Sequence, residues 1–226
     1  MAESQDRITD LADTGRAQAF SDGVFAIVIT LLVLDLRPPE GKPGQLLYGL
    51  LQQWPIYLAY LTSYVYVAVV WTNHKSAFRR IRFIDRGLHW ANFGVLFTTA
   101  LLPFPTAVVA KAMQHGNAVD IRVAVAFYAF IGAQLCLSWW VFFHYLHHHP
   151  ELIKEVVEDE YFAFERKRAL LGVVLYIAAG VIGYLVFPLM AMGIFLFLPV
   201  FYGITSEGWL TMTHRKSNQD AKPAKH

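Results

Sequence analysis

The chain has 226 residues, 56% hydrophobic and 16% charged, with a mean hydropathy of +0.39. Soluble domains carry about 25% charged residues, so this composition argues against a water-soluble enzyme and for a membrane protein. A formal net charge of +2 gives no case for nucleic-acid binding, and the single cysteine, Cys136, can neither close an intramolecular disulfide nor make a thiolate metal site alone.

A bilayer core about 30 Å thick needs roughly 17 to 25 apolar residues per helix. Measured against that length, six stretches are candidates: residues 20–36, 50–73, 87–110, 123–145, 169–187 and, one residue short, 189–204. The first runs into Arg37-Pro38-Pro39 without a small-residue cleavage site, so a retained helix is expected there, not a signal peptide. Pro103 and Pro105 are expected to bend the third span. Pro188 alone divides the last two, where a helix break is expected. The expected organisation is a six-helix transmembrane domain over residues 1–209, followed by a polar tail over 210–226.

Basic residues set the orientation, because cytoplasmic loops hold the excess of Lys and Arg. With the N-terminus inside, the leader contributes Arg7 and Arg16. The loop after span two contributes Lys75, Arg79, Arg80, Arg82 and Arg86, and the loop after span four contributes Lys154, Arg166, Lys167 and Arg168. Arg215, Lys216, Lys222 and Lys225 lie in the tail, so fifteen of the 19 fall inside; Arg37, Lys42, Lys111 and Arg122 fall outside. An all-α multi-pass cell-membrane protein with both termini cytoplasmic is expected. The longest predicted loop, residues 147–168, is too short for a soluble domain, which places the function within the membrane.

Span one carries the chemistry. An acid just inside a membrane helix needs a partner, and Asp22 shares its depth with Arg16, Asn73, His74, Trp90 and Asn92. Those groups form either a structural cluster pinning helix one to helices two and three, or a proton relay or cation site through Asp22. At about 100° per residue, Phe20, Gly23, Ile27, Thr30, Leu31 and Leu34 share a stripe roughly 100° wide, and Asp22 lies about 140° from Ile27. Periodicity does not identify that stripe as a pore, since a helix apolar all round yields an apolar stripe on any face.

The string Arg16-x-x-x-Phe20-Ser21-Asp22-Gly23-Val24-Phe25-Ala26-Ile27 resembles the signature of the transmembrane protein 175 family, potassium channels of lysosomes and many prokaryotes. Trp71-x-x-His74-x-x-x-Phe78, Trp90-x-Asn92 and Leu102-Pro103-Phe104-Pro105-Thr106 extend the match over about the first 110 residues; spans four to six match in number and hydrophobicity only. A single six-helix repeat is similar to the prokaryotic members, which assemble as homotetramers, whereas animal members carry two repeats and pair as dimers.

The resemblance implies a potassium channel in which the first helix of each subunit lines the pore within membrane lipid. No TVGYG-like carbonyl filter occurs in the chain. Ile27 would stand at the hydrophobic constriction, with Leu31 and Leu34 as further apolar rings. Thr30 would supply a hydroxyl layer that favours potassium, the ion that costs less to dehydrate than sodium. Arg16, Ser21, Asp22, His74, Trp90 and Asn92 would form the structural network that holds this helix. No cofactor, metal or nucleic acid is implied.

Other signals are weaker. His144, His147, His148 and His149 cannot all point one way on a helix, and read as an interfacial cluster before a metal site. Asp35 could draw cations to the outer mouth, although a surface acid is more commonly only solvated, and Glu207 reads as solvated. Trp54, Trp71, Trp139 and Trp140 read as interface anchors. The alternative functions are a proton-coupled transporter or proton-permeable channel using Asp22 and His74, and an intramembrane enzyme, for which no nucleophile with its base is visible.

Overall fold

The computed structural model describes the backbone of residues 2–40, 42–155 and 159–205, and the side chains of 13–40, 42–155 and 161–203. The polar tail and Glu207 lie outside them. Among the described residues the chain is helical with no named strand: α1 (Ala2–Leu31, continued by a 3₁₀ turn Leu32–Asp35), α2 (Leu46–Gln52), α3 (Trp54–Phe78), α4 (Arg86–Ala100), α5 (Pro103–His115), α6 (Ala118–His148), α7 (Asp159–Leu185) and α8 (Pro188–Thr205).

Five of these stretches are long and apolar enough to cross a bilayer: Asp13–Asp35, Trp54–Phe78, Arg86–His115, Ala118–His148 and Tyr161–Leu185. The sixth expected span corresponds to α8. Its apolar stretch Pro188–Gly203 covers about 24 Å at 1.5 Å per residue, short of a 30 Å hydrocarbon core.

Local chemistry explains where the helices stop. Pro55 stands in the first turn of α3, where its missing N–H costs nothing. The second span therefore begins at Trp54, later than expected, and it continues to Phe78 because His74, Ala77 and Phe78 are buried. Pro103 and Pro105 interrupt the third span as expected. The bonds tighten there to Leu102 N to Thr99 O (3.1 Å) and Phe104 N to Leu101 O (3.1 Å), which separates α4 from α5. Asp85 caps α4 by accepting from the Leu88 amide, and Asn117 caps α6 by accepting from the Val119 and Asp120 amides. Gly116 ends α5 at φ +71°, a left-handed conformation that suits glycine. Pro188 opens α8 after a two-residue break, as expected.

The fifth span begins earlier than the apolar run suggests. α7 is already helical at Asp159, and the polar segment before Ala169 is packed: Glu165 and Arg168 are both buried. The expected 22-residue loop is thus mostly helix. α6 and α7 form the most extensive interface, where small residues allow close backbone approach. A Cβ on Gly132 would stand 2.5 Å from the Tyr176 ring, and one on Gly180 would stand 2.7 Å from the Ala129 methyl. α1 lies at the margin, against α3 and α4. Only 28% of its apolar window is buried, the smallest share among the five candidate spans.

Candidate functional site

α1 is two-sided. Ala17, Ser21, Phe25, Val28 and Leu32 recur every three or four residues and are buried against α3 and α4. On the other side Phe20, Gly23, Ile27, Thr30, Leu31 and Leu34 are all exposed, Ile27 by 60%. These six are the stripe expected from the sequence. Thr30 Oγ1 lies 2.9 Å from the Ala26 carbonyl and 2.8 Å from the Ile27 carbonyl. A hydroxyl has one proton and two lone pairs. Because the helix takes the proton, the Thr30 oxygen offers only acceptor capacity to the exposed face.

The buried side is fixed by a directed chain of hydrogen bonds. Ser21 Oγ donates to the Ala17 carbonyl at 2.8 Å, and since a carbonyl only accepts, the serine proton is used there. Ser21 must then accept from Asn92, whose Nδ2 stands 3.0 Å away. That turns Asn92 Oδ1 toward His74 Nε2, 2.9 Å distant, so His74 donates through Nε2. The ring sits among Phe25, Phe78 and Trp139, stacked on Phe78 at 4.2 Å. Its Nδ1 is buried without a partner. Ser21, His74 and Asn92 are each at most 1% exposed, so the chain pins α1 to α4 and α4 to α3 in a dry environment where a lost bond is expensive.

Of the six expected network residues, these three meet in one chain. Asp22 is held by a residue that the sequence reading assigned elsewhere: its Oδ1 accepts from Trp71 Nε1 at 2.8 Å. Trp71 is therefore a tether between α3 and α1, and not merely an interfacial anchor. The available signal was its position one turn before His74 on the same helix face, together with an indole N–H that needs an acceptor. Lys75 lies over the Trp71 ring, 5.2 Å from its centroid. Arg16 pairs with Asp13 at 4.0 Å on the surface rather than with Asp22. Trp90 points outward, 69% exposed, and packs edge-on against Phe93.

The loops that follow α3 and α6 are laced together. Arg82 N donates to Leu152 O (2.8 Å), Lys154 N to Arg80 O (3.0 Å), and Lys154 Nζ to Arg79 O (2.6 Å), which joins the loop after α3 to the loop after α6. Tyr145 donates to Asp85 Oδ2 at 2.6 Å and so ties α6 to the N-terminus of α4. The histidines of the α6 terminus are engaged separately. His148 Nδ1 donates to the His144 carbonyl at 2.8 Å, and His149 Nδ1 lies 2.9 Å from Glu151 Oε1, which holds that carboxyl below its ordinary range. Among the described residues no group of three or more His, Cys, Asp or Glu side chains is placed to hold a metal ion. Asp35 is half-buried at the end of the 3₁₀ turn that continues α1.

Comparison with known proteins places this geometry among relatives. The family model "Endosomal/lysosomal potassium channel TMEM175" matches residues 16–103, which contain residues 16–31 of α1, the hydrogen-bond chain and the α4–α5 break. A potassium channel of Streptomyces collinus is 39% identical over 131 residues, 57% of this chain and 64% of the relative. One from Chamaesiphon minutus is 43% identical over 121 residues, 52% and 58% of the two chains. The endosomal/lysosomal proton channel TMEM175 of Bos taurus is 42% identical over 129 residues, 27% of its length. The chain thus spans a little over half the length of the bacterial relatives it matches. The crystal structure of a lysosomal potassium-selective channel TMEM175 homolog from Chamaesiphon minutus superposes with a TM-score of 0.74 at 30% identity, covering 85% of this chain and 97% of that one.

Proposed function

Because this chain belongs to the TMEM175 family, we propose that it forms a potassium channel whose pore is lined by α1 of several copies, four if it follows the prokaryotic members. In this reading α8 is the sixth span and both termini are cytoplasmic, in keeping with the Lys and Arg distribution. The observation that carries the proposal is the two-sidedness of α1. One face is bonded to α3 and α4, whereas Ile27, Thr30, Leu31 and Leu34 are exposed on the other. One helix cannot enclose an aqueous path, but copies of this face around an axis can.

The side chains then have distinct work. Rings of Ile27, Leu31 and Leu34 exclude water, and an ion crosses only when the ring widens or wets. Thr30 stands between Ile27 and Leu34, its proton committed to the helix, so a layer of its oxygens replaces hydration waters and favours potassium. Asp22 stays off the axis, held by Trp71. The test is reconstitution in liposomes under a potassium gradient. Unitary currents that reverse near the potassium equilibrium potential support the proposal, and pH-coupled flux without any unitary or macroscopic current overturns it.

The name of the animal relatives, proton channel, motivates a second reading, proton permeation. A relay from Asp22 to His74 has little support in the bonding, because Asp22 is taken by Trp71 and His74 by Asn92. Proton current, if present, is expected along the α1 face and not through that pair.

A further inference from the structure

A second polar cluster lies away from α1. Between α3, α6, α7 and α8 is a cavity of about 40 Å³ whose walls include Tyr66, Cys136, Trp139, Phe143, Arg168 and Tyr202. Glu165, also in its wall, pairs with Arg168 at 2.8 Å, and the two side chains are only 4% and 8% exposed. Both stand within the candidate span Tyr161–Leu185, where a buried charge pair is costly and marks a site by default. Arg168 Nη2 is matched by Glu165 Oε2, but Arg168 Nη1 is buried with no hydrogen-bond partner. Tyr202 shapes the wall by donating to the Arg168 backbone carbonyl at 2.9 Å, and the guanidinium lies 5.4 Å from its ring centroid.

These features select a ligand chemistry. The ion pair is neutral as a unit, so an added anion is repelled by Glu165 and an added cation by Arg168. The unmatched N–H calls for one acceptor, and the walls are mostly aromatic and aliphatic. A water needs roughly 10–15 Å³ measured this way, so the cavity takes about three water-sized groups. We propose that it is a binding site for a small neutral molecule of the alcohol class. The ligand hydroxyl oxygen accepts from Arg168 Nη1, and its carbons lie against Trp139, Phe143 and Tyr202. No lining residue belongs to α1, so the site is independent of the proposed pore.

Cys136 lines the cavity and is the chain's single cysteine, which makes it a reporter. In the purified full chain, methyl methanethiosulfonate converts its thiol to a methyl disulfide, with methanesulfinate leaving, and intact mass gives the rate. Ethanol slows this reaction saturably, at least threefold, with a half-effect at about 1 mM or higher given the ceiling on binding per heavy atom; acetate and ethylammonium do not. Arg168→Lys keeps a cation opposite Glu165 but lacks the second arm of the guanidinium fork, and loses the ethanol effect. Ala169→Leu fills the cavity while keeping the pair, so it slows the reaction by itself and abolishes the ethanol dependence. The proposal is overturned if ethanol leaves the rate unchanged, if acetate protects equally, or if either variant keeps the ethanol effect. It is also overturned if native Cys136 does not react while the unfolded chain does.

Discussion

Two polar contacts hold the buried side of α1, and their environments rank them. The chain through Asn92 is dry, at most 1% exposed at Ser21, His74 and Asn92, whereas Asp22 and Trp71 are only partly covered. Asn92→Ala leaves the His74 Nε2–H without its acceptor and takes away the donor that Ser21 uses, which costs about 2–3 kcal/mol. Trp71→Phe removes one donor from a carboxylate that water can reach, at about 1 kcal/mol. Thermal unfolding in detergent is therefore expected to fall further for Asn92→Ala than for Trp71→Phe; equal or reversed losses contradict the ranking. On the exposed side, Thr30→Ala removes the acceptor oxygen while sparing the buried contacts. The potassium-to-sodium permeability ratio from bi-ionic reversal potentials is expected to drop while thermal stability holds. At this scale the sequence already marked His74 and Asn92, because polar residues at one depth in apolar helices need one another, whereas Ser21 was marked only by the family resemblance. The Trp71–Asp22 bond was not legible, since reading Trp71 as an interface anchor set aside the hydrogen-bonding need of the indole N–H.

At the scale of elements, hydrophobic runs located the helices but not their ends. Pro55, Pro103 and Pro188 stand at helix starts, where a missing N–H costs nothing. By contrast, α7 extends through Glu165 and Arg168 because the two charges neutralise each other within one helix turn, which a count of apolar residues cannot register. The stripe on α1 fits helical spacing, but periodicity could not single it out in a helix apolar all round; the two-part third span followed from its two prolines. The α6–α7 interface depends on Gly180 facing Ala129. Gly180→Val places branched carbons where even a Cβ stands 2.7 Å from the Ala129 methyl, so it is expected to destabilise the protein by about 1–3 kcal/mol, read as a lower unfolding midpoint. The double variant Gly180→Val with Ala129→Gly should recover part of that loss.

For the whole molecule, composition gave the class, the basic residues gave an orientation, and the short signature around Asp22 pointed to the family that the comparisons bear out. What a single chain leaves exposed on α1 is accounted for if copies assemble around an axis, with the laced loops and the Ser21–Asn92–His74 chain holding each α1 in place. The central claim is that ions pass along this face, with Ile27 at the constriction. The most direct measurement is the unitary potassium conductance of Ile27→Ala beside that of the parent chain in planar bilayers. A wider ring should pass a larger unitary current; the same conductance from both chains would place the constriction elsewhere and contradict the account.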